Sequence, residues 1–203
     1  MSDGVDIVGS GVLPLAIHNN TPYILMGRER DNGESTGTWC GFGGGIERGE
    51  DVTDNAIREF MEESMALIMS REDISNILLN NADNRLLTRY YLNVDKRYVE
   101  HVVLIPYDQY LPSLFDRLYK QFGRCAEILG KSCGDGQCNI IGVDIGKTCS
   151  PMFEKDRINW FPLSEVIEMA TSQLSGKSTS VKLRPCFAKA ISAAASLLYS
   201  VIS

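Results

Sequence analysis

Residues 43–66 read GGGIERGEDVTDNAIREFMEESMA, and this stretch decides the fold. A glycine-rich turn, Gly43-Gly44-Gly45, leads into a helix expected over about 52–64. Asp51 is a good N-cap for that helix, and Asp54 three residues on suits a capping box. Residues three and four apart share a helix face. Ala56, Ile57, Phe60 and Met61 therefore fall on one side, and Glu59, Glu62 and Glu63 on the other. Three glutamates on one face repel each other unless a cation binds among them. An acidic helix face is most often solvated surface, but here it comes with a fixed framework. Arg58 and Glu50 are spaced to pair across the loop–helix joint. The glycines let backbone groups approach a metal or a substrate closely.

The spacing of these residues resembles the Nudix box. That box is a glycine, five residues, a glutamate, seven residues, then Arg-Glu-aliphatic-x-Glu-Glu-x-Gly-aliphatic. Gly44 takes the first position and Glu50 the second. Arg58, Glu59, Phe60, Glu62 and Glu63 follow at the required intervals. A chance match of this kind in a chain of this length is on the order of one in 10^5. Trp39-Cys40-Gly41-Phe42-Gly43-Gly44 resembles the family's strand into the box. Trp160-Phe161-Pro162-Leu163-Ser164-Glu165-Val166 resembles its late aromatic-Pro-Leu segment before a helix.

The resemblance implies an α/β fold, a Nudix-like α/β/α sandwich with a mixed sheet flanked by helices. It implies a metal-dependent hydrolase of a diphosphate bond, acting on a nucleoside triphosphate or on a nucleoside diphosphate linked to another group. It implies Mg2+ or Mn2+ held by Glu59, Glu62, Glu63 and Gly43. The catalytic set it implies is Glu59, Glu62, Glu63, Arg58 and Glu50, with Gly43, Gly44, Gly45 and Arg28 towards substrate. The chemistry is consistent with the residue types. A diphosphate repels a nucleophilic water, and hard cations on carboxylates offset that charge and acidify water. Alternative substrates are capped RNA or dinucleoside polyphosphates, and an alternative of another class is a non-catalytic nucleotide sensor. No Ser-His or Cys-His nucleophile pair is evident, so direct attack by water is expected, with Glu59 or a carboxylate outside the box as base.

Two positions depart from the box. Met65 stands where the late glycine belongs. Glycine there permits a left-handed helix exit that Met resists, so either the helix continues through Leu67–Met69 or the exit is strained. Phe42 stands where many members carry proline. It resembles the Gly-Phe-Gly-Gly entry of the branch that destroys oxidised purine triphosphates.

Working outward, residues 5–17 and 22–28 read as strands joined at Asn19-Asn20-Thr21. Residues 29–38 read as a loop and Trp39–Phe42 as a short strand. Residues 85–94 and 98–107 read as two strands joined at Asp95-Lys96-Arg97. Pro112 opens a helix through about Leu129, and residues 139–145 suggest another strand. Ser164 is expected to cap a helix to about Ala170, and 185–201 to form the last helix with Pro185 near its start. The chain is expected to be a single domain over 1–203, with an insertion or elaboration at about 108–150. Trp39, Trp160 and Phe161 read as packing residues. Glu100 and Glu154 read as surface carboxylates, or alternatively as an extra ligand or base from outside the box.

Composition bounds the rest. Among 203 residues, 20 basic and 26 acidic side chains give a formal charge of -6. Without a basic run, extended nucleic acid is a poor partner. A small phosphorylated ligand remains compatible, since a metal supplies positive charge. The acidic N-terminus lacks a secretory pattern, and 191–202 is too short to span a bilayer, so a cytoplasmic location without membrane association is expected. The six cysteines read as reduced thiols, and Cys133, Cys138 and Cys149 as a weaker zinc alternative.

Overall fold

A computed structural model describes residues 7–30, 33–80, 86–91, 98–133, 139–140, 143–144 and 154–200. Strand β1 (Gly9–His18) turns into β2 (Thr21–Glu29). His18 pairs with Thr21, so Asn19-Asn20 is a two-residue hairpin turn. Both asparagines have positive φ, 48° and 59°. That conformation matches strand twist, and Asn tolerates it better than most residues.

β1 also pairs antiparallel with β4 (Phe42–Gly45) through Gly9–Val12, and parallel with β6 (Tyr98–Leu104) on its other edge. Its pairing with β2 begins only at Leu15. Pro14 falls where β1 changes partner from β4 to β2, so its missing N–H interrupts neither ladder. β3 (Trp39–Cys40) and β9 (Lys155–Pro162) both pair with β2, and β5 (Leu86–Tyr91) pairs with β6. The result is a mixed seven-stranded sheet.

Alternation along β1 divides the core. Leu13 and Leu15 face a cluster with Trp39, Phe161 and two helices, α4 (Leu163–Leu174) and α5 (Pro185–Ser200). Val12 and Ala16 face the other cluster, with Phe60 of α1 (Val52–Glu63), Ile74 of α2 (Arg71–Asn80) and Phe115 of α3 (Leu111–Cys133). Helices thus cover both faces of the sheet, the expected α/β/α sandwich. Trp39, Trp160 and Phe161 are core residues. No helix among the described residues is long and apolar enough to cross a membrane.

Several local expectations are corrected. Gly43-Gly44-Gly45 is strand, not turn, because each glycine pairs with β1. β2 continues through Glu29, and a short 3-10 turn at Gly33–Ser35 follows. The single strand expected over 139–145 is two short ones, β7 (Asn139–Ile140) and β8 (Val143–Asp144), paired with each other. Pro162, not Ser164, occupies the N-cap of α4, with no side-chain cap bond. The connection at 95–97 and Cys138 and Cys149 lie outside the described residues.

Candidate metal and active site

Helix α1 brings the carboxylates to the sheet. Asp51 caps it, accepting from the amides of Thr53 and Asp54 at 2.7 and 2.8 Å. Ala56, Ile57 and Phe60 bury its apolar side. The exit resolves the question raised by Met65. The helix stops at Glu63, and the amides of Met65 and Ala66 bond back to the carbonyls of Glu62 and Met61, a Schellman closure. Met65 and Ala66 both have φ of 54°. The left-handed exit is therefore made without glycine. Met65 offsets its strain by burying its side chain, whereas Ala66 is exposed and has no such gain.

Arg58 ties the loop to the helix. Its Nε donates to Glu50 Oε1 at 2.7 Å and one terminal nitrogen to Glu50 Oε2 at 3.1 Å. The same fork reaches Glu59 Oε1 at 3.0 Å, Glu62 Oε2 at 3.1 Å, Asn55 Oδ1 at 2.8 Å and the Gly45 carbonyl at 3.2 Å. The hydrogen bond from Arg58 holds Glu50 below the usual carboxylate range. Asn55 in turn donates to the Ser10 and Gly44 carbonyls, which joins α1 to β1 and β4.

Glu59 and Glu63 point into the fold and are buried, while Glu62 is half-buried and held by Arg58. Oxygens of Glu59, Glu63 and Glu154 lie within 4.8 Å of one another. Glu154 is exposed, just ahead of β9. A Cβ on Gly44 would strike the Glu59 carboxylate, so glycine is what lets that group lie against β4. Glu63 Oε2 accepts the Gly43 amide at 2.7 Å. Burial raises the pKa of Glu59 against the opposing field of Arg58. Burial also raises Glu63, with Glu29 and Glu59 adding and Lys155 opposing. Glu154, although exposed, is raised as well by partial desolvation of its carboxyl.

Beneath Glu63 lies a buried cluster that sequence reading missed. Lys155 is fully buried, with Nζ 2.7 Å from Glu29 Oε1, 3.1 Å from Glu63 Oε1 and 3.2 Å from Cys40 Sγ. Burial disfavours its charge, but the surrounding anionic groups outweigh that and raise its pKa. Glu29, which burial alone would raise, is held low by Lys155 and also accepts from Arg184 at 3.2 Å. Burial pushes the Cys40 thiol up to about 12, and it donates to Glu29. In the sequence, Lys155 sits in Glu-Lys-Asp-Arg and looks like a solvated charge. Only the β2–β9 register, which pairs it with Glu29, and the bare Gly27, over which its side chain lies, give it away.

Two further residues differ from expectation. Arg28 is not brought to the carboxylates. It pairs with Asp156 at 2.7 and 2.8 Å, where the β2–β9 register shifts between Arg28 and Glu29. Glu100 is no surface carboxylate: it is 4% exposed, and its Oε1 has no hydrogen-bond partner. Burial, with the field of Glu63 adding and that of Lys155 opposing, pushes it up to about 8.

A family model described as NUDIX domain matches residues 9–114. Among solved structures, the chain is similar to the NUDIX domain of Shewanella oneidensis NrtR complexed with ADP ribose. That match is 12% identical, covers 96% of this chain and 89% of that one, and has a TM-score of 0.48. It is also similar to a Nudix hydrolase from M. smegmatis, RenU (11% identical, 96% and 86% covered, TM-score 0.49). A third is the C. elegans Ap4A hydrolase in a binary complex (12% identical, 95% and 98% covered, TM-score 0.45). No curated protein matches the chain.

Proposed function

This chain belongs to the Nudix hydrolase family and is a pyrophosphohydrolase, and from that premise we propose a substrate class and a catalytic set. The substrate is a nucleoside triphosphate or a nucleoside diphosphate linked to another group. The observation that carries the reading is the convergence of Glu59, Glu63 and Glu154, three carboxylates whose oxygens lie within 4.8 Å.

That donor set fits a hard divalent cation, which prefers oxygen ligands. Two of the three carboxylates are buried with raised pKa, so their crowding favours an added positive charge. Glu59, Glu63 and Glu154 would hold the ion, with Glu62 at the rim beside Arg58. Bound Mg2+ or Mn2+ would neutralise phosphate charge and lower the pKa of a water.

The chain's own groups do the rest. Arg58 orients Glu59 and Glu62 from one side. Lys155 and the Gly43 amide fix the two oxygens of Glu63 from the other. Glu59 or Glu154, whichever the ion leaves free, takes the proton from the attacking water. Cys40 is no nucleophile, because burial keeps it as the thiol. Water therefore attacks phosphorus directly, and no covalent enzyme species forms.

A panel of nucleoside triphosphates and nucleoside diphosphate esters, incubated with Mg2+ or Mn2+ and read by product mass, tests this. Cleavage confined to phosphoanhydride bonds and lost in excess chelator is expected. Cleavage of phosphomonoesters only, or full activity in chelator, contradicts it.

A further inference from the structure

Beside the carboxylates lies a cavity of about 420 Å3, a size within the usual range of small-molecule sites. One wall is the glycine strand, Gly43, Gly44 and Gly45, which carries no side chains. Phe187 and Ala190 of α5 supply an apolar wall. Tyr98, Arg184 and Glu100 are its polar groups. Arg184 already contacts Glu29, and the Tyr98 hydroxyl occupies the space left by Gly11 and Gly43. Glu100 alone of these is buried with an unpartnered oxygen.

A buried polar atom without a partner destabilises the fold. Such a group in a cavity wall is better explained by a ligand than by stability. The cavity shares Gly43 and Gly44 with the carboxylate site. A molecule seated in it therefore lies next to the bond being broken. A cavity lined by a bare strand and an aromatic side chain suits a flat ring. A carboxyl oxygen accepts an N–H whether or not the group is ionised.

We propose that this cavity holds the heterocyclic base of the substrate and that Glu100 selects it, accepting a hydrogen bond from a ring N–H or exocyclic amine. This rests on the nucleotide reading of the carboxylate site. Glu100 is here a specificity residue, and the chemistry at phosphorus proceeds without it.

The test compares the parent with Glu100→Met and Glu100→Gln. It measures kcat/KM for ATP, GTP, CTP, UTP and a ribosyl triphosphate without a base, and in parallel the calorimetric binding of the four nucleosides. With Glu100→Met, the spread of kcat/KM across the bases should shrink at least tenfold while the base-free substrate is unaffected. Its Tm should rise, because an unpaired buried oxygen is removed. Glu100→Gln keeps an acceptor oxygen and should retain part of the discrimination. An unchanged base preference overturns the inference, as does equal loss on the base-free substrate, which makes Glu100 a structural or chemical group. If the parent cleaves none of these compounds yet binds a nucleoside through Glu100, the triphosphate reading fails and the pocket assignment stands. If it cleaves them and neither variant alters selectivity, the pocket assignment fails alone.

Discussion

Arg58 Nε donates to Glu50 Oε1 at 2.7 Å, and from that anchor the rest of its guanidinium reaches Glu59 at 3.0 Å and Glu62 at 3.1 Å. One planar fork thus fixes two box carboxylates relative to the loop. We propose that Arg58 positions these groups and does not itself meet substrate. Arg58→Lys keeps the charge but loses the fork. We expect kcat to fall about 10–100-fold, the usual cost of removing a group that orients metal ligands, with the substrate dissociation constant nearly unchanged. Single-turnover rates set against equilibrium binding check this. Weak binding with normal turnover at saturation contradicts the role.

The exit of α1 makes a stability prediction. Ala66 is exposed at φ 54°. A left-handed residue other than glycine costs about 1–2 kcal/mol, and glycine returns about 0.4–1 kcal/mol of that through unfolded-chain entropy. Ala66→Gly should stabilise by about 0.5–1 kcal/mol. Met65 has the same φ but is 7% exposed in the core. Its buried side chain is worth about 1.5–3 kcal/mol, so Met65→Gly should destabilise. Urea midpoints of the two variants should move in opposite directions, and movement in the same direction counts against this account of the exit.

Lys155 carries a larger effect. It is the buried cation between Glu29 and Glu63. Removing one partner of a buried ion pair costs about 3–5 kcal/mol, because the other charge is left uncompensated. Lys155→Met should lower stability by that order. Adding Glu29→Gln should recover part of the loss, a coupling that a double-mutant cycle in denaturant measures. Strict additivity of the two changes is the contrary outcome.

How far these features were readable in the sequence follows from their range. The cap, the Arg58–Glu50 pair and the glutamate face depend on residues within one turn or one loop, where spacing fixes geometry. Met65 stands out in the sequence because a single position demands a particular φ, although only the structure decides between a longer helix and a strained exit. Gly43-Gly44-Gly45 reads as a turn because glycine is common in turns, whereas the strand needs glycine there to admit Tyr98 and Glu59. The burial of Lys155, Glu29 and Glu100 is beyond reach. Their burial comes from strand register between segments up to 126 residues apart, and no local pattern encodes that.

Glu100 also predicts a pH dependence. Its pKa is raised to about 8 in the folded chain, against an ordinary glutamate value of about 4.3 when unfolded. Between those values the folded state holds a proton that the unfolded state has lost, so stability falls as pH rises. The loss begins above the unfolded value and is complete beyond about pH 8. In chelator, Tm should therefore decline from pH 5 to pH 8, and Glu100→Gln should flatten that slope. A steeper decline in the variant rules this out.

The central claim is that Glu59, Glu63 and Glu154 share a divalent cation. Calorimetric titration of Mn2+ into the parent and into Glu63→Gln, at one pH and without substrate, tests it most directly. The parent should bind at least one ion, and the variant should bind it at least tenfold more weakly. Equal Mn2+ affinity in the two proteins contradicts the claim.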